Sequence, residues 1–280
     1  MTPASPSPSP SPAAAPSPAA PSLPDASAVV VPQHPIVLVH GLLGFVRRSL
    51  TRLLSFSYFQ GVEEALRETG IRVHAVPLPA SAGVVARAEA LAAAIDALPY
   101  ERVNLVGHSM GGLDARWYVG RLGGHRKVAS LVTISTPHRG TTVADWGCQR
   151  IGRALAAWRL FDAIGVDRQA FDDLQRDVCE ERNAALLGAP EVPTFSYGAA
   201  RPWWAIAAPL QVSYRMLQRA EGPNDGLVSI HSARWGESWG TLEADHLAET
   251  GWHWTPPGMT RFDHRALYLD IARRLAARGY

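Results

Sequence analysis

The sequence is poor in several things that would commit it to a function class. It has two cysteines, Cys148 and Cys179, too few for a disulfide framework, and structural zinc takes four ligands at short spacings. They are expected either to make one bridge or to remain as two partly buried thiols. Lys127 is the only lysine. With the richness in alanine, this reflects nucleotide composition and carries no chemistry. Neither sign of charge dominates, with 27 Lys and Arg against 25 Asp and Glu. No basic run or aromatic-interleaved basic patch is present, so nucleic acid is not an expected partner. No apolar stretch approaches the roughly 20 residues of a membrane span. Arg47 is the first Lys or Arg, and the Pro/Ser/Ala-rich start offers no continuous apolar core of a signal, so the chain as written is expected to lack a secretory signal.

What is present changes character near residue 35. Residues 1–34 alternate proline with serine and alanine, and Asp25 is their only acidic or basic charge. Proline fixes φ and removes backbone donors, and the segment has too little apolar surface to offset ordering entropy, so a disordered tail is expected. The remainder, 35–280, is long enough for one sizeable core.

The most informative stretch is Val103 to Gly112, an apolar run that ends abruptly in Gly107-His108-Ser109-Met110-Gly111 before a helix-permissive segment. Strand, sharp turn and helix in that order hold a serine in a strained conformation. Gly107 and Gly111 relieve the clashes with neighbouring strand and helix. The Ser109 hydroxyl is then lifted clear of the sheet edge, and the Met110 amide opens a helix where developing negative charge is stabilised. This predicts a nucleophile elbow. A second glycine-containing loop, His40-Gly41-Leu42-Leu43-Gly44-Phe45, follows the apolar run Ile36–Val39. Leu42 is the candidate for the other amide of an oxyanion hole.

The spacing predicts helices over 58–69, from a Ser81 cap through Val84, Ala88, Leu91, Ile95 and Leu98, over 113–122 and over 265–277. Strands are predicted over 36–39, 71–76, 103–106, 128–134, 192–197 and 238–242. Alternation of this kind means an α/β fold with a mainly parallel central sheet flanked by helices, whose sites lie at the carboxyl ends of strands. Residues 141–190 are long and helix-compatible, with Ile151, Leu155, Trp158, Phe161 and Ile164 at helical spacing. They are expected to form a helical cap over Ser109, with an apolar face lining an acyl-chain site, in preference to packing as ordinary core. Trp203, Trp204, Trp235, Trp239, Trp252 and Trp254 are expected chiefly to pack in the core, with lipid contact the lesser alternative.

An acid and a base must follow the serine in this chain order. Asn224-Asp225-Gly226 is a turn sequence, so Asp225 either closes a turn through its own backbone or orients a histidine. Of the histidines beyond it, His231 is too near along the chain, and His253 sits among tryptophans where stacking suffices. His246 follows the strand near 238–242 and is the expected base. His264, opening the last helix, is its rival.

Taken together, Val37–Leu42, Gly107–Gly112, Thr136–Gly140, Asn224–Ser229 and Asp245–Leu247 resemble the true lipases of the α/β-hydrolase superfamily, the Burkholderia and Pseudomonas type of triacylglycerol lipase. The resemblance implies an α/β-hydrolase fold, with Ser109 as nucleophile, Asp225 as acid, His246 as base, and the Leu42 and Met110 amides as oxyanion hole. It also implies a lipid ester as substrate, transient contact with a lipid-water interface, and secretion. Departures are specific. The calcium-binding aspartate two residues after the base is Ala248 here, a glutamine four further on is Trp252, and a bridge cysteine six after the acid is His231. No calcium, no equivalent bridge and no other cofactor are therefore expected, and the need for those lipases' folding chaperone lapses with them. The expected chemistry is ester hydrolysis through an acyl-enzyme. A short-chain carboxylesterase, an acyltransferase or thioesterase on the same groups, and a non-catalytic binding protein are the alternatives.

Overall fold

The computed structural model describes residues 31–42, 48–51, 54–151, 168–254 and 260–280. The expected tail falls almost wholly outside them, as do Leu155, Trp158, Phe161 and Ile164 of the expected cap.

Six strands form one parallel sheet in the order β4-β1-β5-β6-β7-β8. They are β1 (Ile36–Val39), β4 (Val73–Ala75), β5 (Val103–His108), β6 (Val128–Ile134), β7 (Thr194–Ala199) and β8 (Glu237–Leu242). Every residue of β1, β5 and β6 is buried, which is why these strands read as continuous apolar runs. A short antiparallel pair, β2 (Arg48–Thr51) and β3 (Leu54–Phe56), stands apart from the sheet and carried no period legible beforehand.

Alternation along the strands builds two cores. Ile36 and Leu38 point to one face, where they pack with Val62 and Leu66 of α1 (Val62–Glu68) and with Leu267, Tyr268, Ile271 and Leu275 of α9 (His264–Ala277). Val37 and Val39 point to the other, against Ala88, Leu91 and Ile95 of α2 (Val84–Asp96) and Ala115, Tyr118 and Val119 of α3 (Met110–Arg121). One-residue periodicity in β1 thus fixes which helices cover which side.

Several boundaries differ from the sequence-based expectation. Helix α1 starts only at Val62, after Gly61 at φ +65°, because 58–60 turn inward instead. Ser81 does not cap α2. Its N-cap is Gly83, and the Val84 amide donates to Asp173 Oδ2 at 2.6 Å from 89 residues away. Between β6 and β7 run α4 (Thr142–Ile151), α5 (Arg168–Asp172) and α6 (Arg176–Ala185), followed after β7 by α7 (Gln211–Ala220) and α8 (Ile230–Ala233). Cys148 and Cys179 are separate thiols with different partners, Asp172 Oδ1 for the first and the Pro137 and Asp173 carbonyls for the second. Burial pushes the Cys179 thiol up to about 11. Core packing accounts for Trp239, stacked on Phe195, but Trp203, Trp204 and Trp254 are among the more exposed large apolar residues.

Candidate active site

The turn after β5 has the strain that its sequence requires. Ser109 lies at φ +55°, ψ −131°, between the last residue of β5 and the first of α3, a conformation that L residues adopt only where surrounding structure enforces it. A Cβ on Gly107 would sit 2.7 Å from the Gly112 nitrogen, and one on Gly111 would strike the Val39 carbonyl. Both glycines are therefore set by close approach. The His40 loop passes just as tightly: a Cβ on Gly41 would lie 2.8 Å from Ser109 Cβ and 2.8 Å from the Tyr58 hydroxyl oxygen. Met110 is fully buried at the start of α3, and Leu42 and Ser109 line one cavity.

A buried guanidinium ties the loop to the helix. Arg87 of α2 donates from Nε to Asp114 of α3 at 2.8 Å and from its two terminal nitrogens to the carbonyls of Pro79 and His40. Burial raises the Asp114 carboxyl to about 7, against the opposing pull of Arg87.

Asp225 and His246 come together from segments 21 residues apart. The His246 ring bonds through Nδ1 to Asp225 Oδ2 at 2.8 Å, and its backbone amide donates to the Asp225 carbonyl at 3.0 Å. The other carboxylate oxygen, Oδ1, accepts from the Leu227 and Val228 amides at 2.8 and 2.7 Å. One oxygen of Asp225 thus closes the turn while the other meets a histidine. Asp245 steadies the same loop by accepting from the Ala207, Leu247 and Ala248 amides.

The rival histidines are engaged elsewhere. His264 Nε2 donates to the Gln60 carbonyl at 2.6 Å, and its Nδ1 faces His253 Nε2 at 3.3 Å. His231 is exposed.

Sequence reasoning missed a polar set buried behind His246. His108 Nδ1 meets the Tyr58 hydroxyl at 2.7 Å, and its Nε2 meets Glu249 Oε2 at 2.9 Å. Ser135, itself at φ +44°, donates to Glu249 Oε1 at 2.8 Å. Burial, reinforced by the charge of Asp225, pushes the Glu249 carboxyl well above its ordinary range, and burial pushes His108 well below its own. Both shifts favour the uncharged form of the group concerned. His108, His246 and Glu249 are the grouping of metal-binding side chains found among the described residues, with one donor atom from each lying within 4.8 Å of the others. Of their donor atoms, His108 Nε2 and Glu249 Oε2 bond to each other and His246 Nδ1 bonds to Asp225. The calcium of the resembling lipases is not matched either. Ala248 is a buried methyl packed with Ala199 and Ala244, and the Trp252 indole donates to the Tyr58 carbonyl.

Ser109, His246 and Leu42 face one cavity of about 540 Å³, whose wall is otherwise mostly apolar and includes Phe171, Leu174, Leu227, Leu247 and Trp252. Such a cavity suits a ligand with an apolar body and a single polar reacting group. Among the described residues no helix is long and apolar enough to cross a membrane.

Comparison with known proteins agrees with this architecture. Residues 34–147 match the family model described as alpha/beta hydrolase fold. The chain is 29% identical to triacylglycerol lipase 2 of Saccharomyces cerevisiae over 89% of its own length and 93% of that protein's. It is 38% identical to a triacylglycerol lipase of Pseudomonas fragi, over 48% of its own length and 43% of that relative's. A solved metagenomic carboxyl esterase superposes with a TM-score of 0.69 at 21% identity, over 88% of this chain and 76% of the other. With its six-stranded parallel sheet flanked by helices and the strained serine turn after β5, the chain has the α/β-hydrolase fold.

Proposed function

We infer that the chain is a carboxylic ester hydrolase acting on lipid esters, a triacylglycerol lipase that works through Ser109, His246 and Asp225. The observation that carries this reading is the meeting of a strained Ser109 and an Asp225-bonded His246 at one apolar cavity. The yeast and Pseudomonas relatives support it by name.

His246 takes the Ser109 proton as the serine oxygen bonds to the ester carbonyl carbon. Asp225 holds the imidazole with Nδ1 protonated, so that Nε2 faces the serine as base. The Leu42 and Met110 amides stabilise the oxyanion, the alcohol leaves with the proton returned by His246, and water then cleaves the acyl-enzyme. Helices α4, α5 and α6 act as the cap, and the apolar wall of the cavity takes the acyl chain. No metal or cofactor enters the reaction.

The test is hydrolysis of p-nitrophenyl esters from acetate to palmitate, alongside emulsified triglyceride, with Ser109→Ala as control. A long-chain maximum with emulsion turnover, both abolished in the variant, is the expected result. A short-chain maximum without emulsion turnover makes the protein a carboxylesterase and removes the lipid substrate.

A further inference from the structure

Most glycines around the site answer to a backbone need. Gly107, Gly111 and Gly41 sit where a Cβ would press on neighbouring chain, and Gly226 and Gly251 have positive φ. Gly147 answers to neither. It lies in the interior of α4, outside the set with positive φ, and among the described residues no heavy atom beyond its chain neighbours and its own helix backbone comes within 4 Å of the place its Cβ would occupy. Glycine is also one of the poorest helix formers. The helix therefore carries a residue that weakens it, at a position with room for a side chain.

That room adjoins the cavity. Gly147 lines it together with Val143 and Ala144, three to four residues earlier and so on the same side of α4. Phe171, Leu174 and Trp252 line the same cavity. Among the described residues, filling the 147 position would take volume from the cavity and not from a packed neighbour.

We propose that Gly147 sets the acyl-chain length the cavity accepts, its missing side chain leaving space along α4 for the distal methylenes of a long chain. The proposal rests on the ester-hydrolase reading and names a specificity residue within it. A pocket wall discriminates by excluded volume, and a single methylene in a hydrophobic site changes relative kcat/KM by about 10- to 200-fold. A side chain at 147 therefore penalises long substrates selectively, because acetate does not reach the wall.

The experiment measures kcat/KM for p-nitrophenyl acetate, octanoate and palmitate in wild type, Gly147→Ala and Gly147→Leu, with fluorophosphonate labelling to count active sites. The palmitate-to-acetate ratio is expected to fall by about tenfold or more in the leucine variant, moving the maximum to shorter chains. The alanine variant moves the same way by a smaller factor. Its Tm should not drop, since alanine is the better helix former, so it carries the test even if the leucine variant fails to fold. An unchanged ratio in the alanine variant, or a leucine profile that keeps the wild-type shape, overturns the proposal and leaves the hydrolase reading standing. A wild type that neither labels nor turns over any ester overturns both.

Discussion

Arg87 of α2 and Asp114 of α3, neither with any exposed side-chain surface, meet at 2.8 Å and join the helix before β5 to the helix that follows Ser109. Since the same guanidinium also holds the His40 carbonyl, one side chain ties the loop before Leu42 to the helix that opens with Met110. Arg87→Lys keeps the charge but loses the planar fork. It should lower kcat by about tenfold or more with a smaller change in KM, because a displaced amide weakens transition-state binding most. Arg87→Met strands the Asp114 carboxylate and should cost about 3–5 kcal/mol of stability. Ester kinetics and urea denaturation read the two effects, and a lysine variant with wild-type kcat removes the positioning role.

Asp173 couples the segment after β6 to the helix before β5. Its two oxygens serve the Val84 amide at the start of α2, the Gln169 side chain, and Arg182 of α6 at 2.9 Å. Asp173→Ala removes a helix-start acceptor and a charge partner together, which should cost about 2 kcal/mol or more. Asp173→Asn keeps an oxygen for Val84 and should lose less. Equal loss in both variants assigns the whole effect to the Arg182 pair.

The acid limb of stability has a traceable contributor in His138. Its Nδ1 accepts from Arg116 at 3.3 Å, so Nε2 carries the proton and meets Thr133 Oγ1 at 3.1 Å. Burial first, then Arg116 and Arg139, push this group well below its ordinary value of 6.5. A lowered histidine contributes stability that is present above pH 6.5 and is lost on acidification, because the unfolded chain takes up a proton that the folded chain refuses. On acidification below pH 6.5 the wild type should therefore lose more stability than His138→Gln. The comparison cancels the raised carboxyls Asp114 and Glu249, which act with opposite sign in both proteins. Parallel stability curves remove His138 from the account.

Ala248 and Trp252 bring a methyl and an indole to positions where the resembling lipases bind calcium, so a chelator should leave the thermal melt unchanged. A chelator-induced drop in Tm of several degrees contradicts that expectation.

The parts of the molecule that follow from local pattern were legible in the sequence. Buried parallel strands announce themselves as apolar runs, and the Gly107–Gly111 turn encodes its own strain. The order Ser109, Asp225, His246 selected a histidine that the structure joins to Asp225. The contacts that escaped notice are made between distant segments. Asp173 reaches α2 across 89 residues, and His108 reaches Glu249 across 141. Arg87 left one trace, a charge at the register of Val84, Ala88 and Leu91 on a buried helix face. Gly83 rather than Ser81 heads α2 because its acceptor comes from another segment, which local capping rules do not register.

The most direct measurement is the site of covalent labelling by a fluorophosphonate, mapped by peptide mass spectrometry. The account predicts one adduct, on the peptide carrying Ser109, formed in step with loss of ester hydrolysis and lost in His246→Ala. An adduct on another residue, or full hydrolysis after Ser109 is blocked, contradicts it.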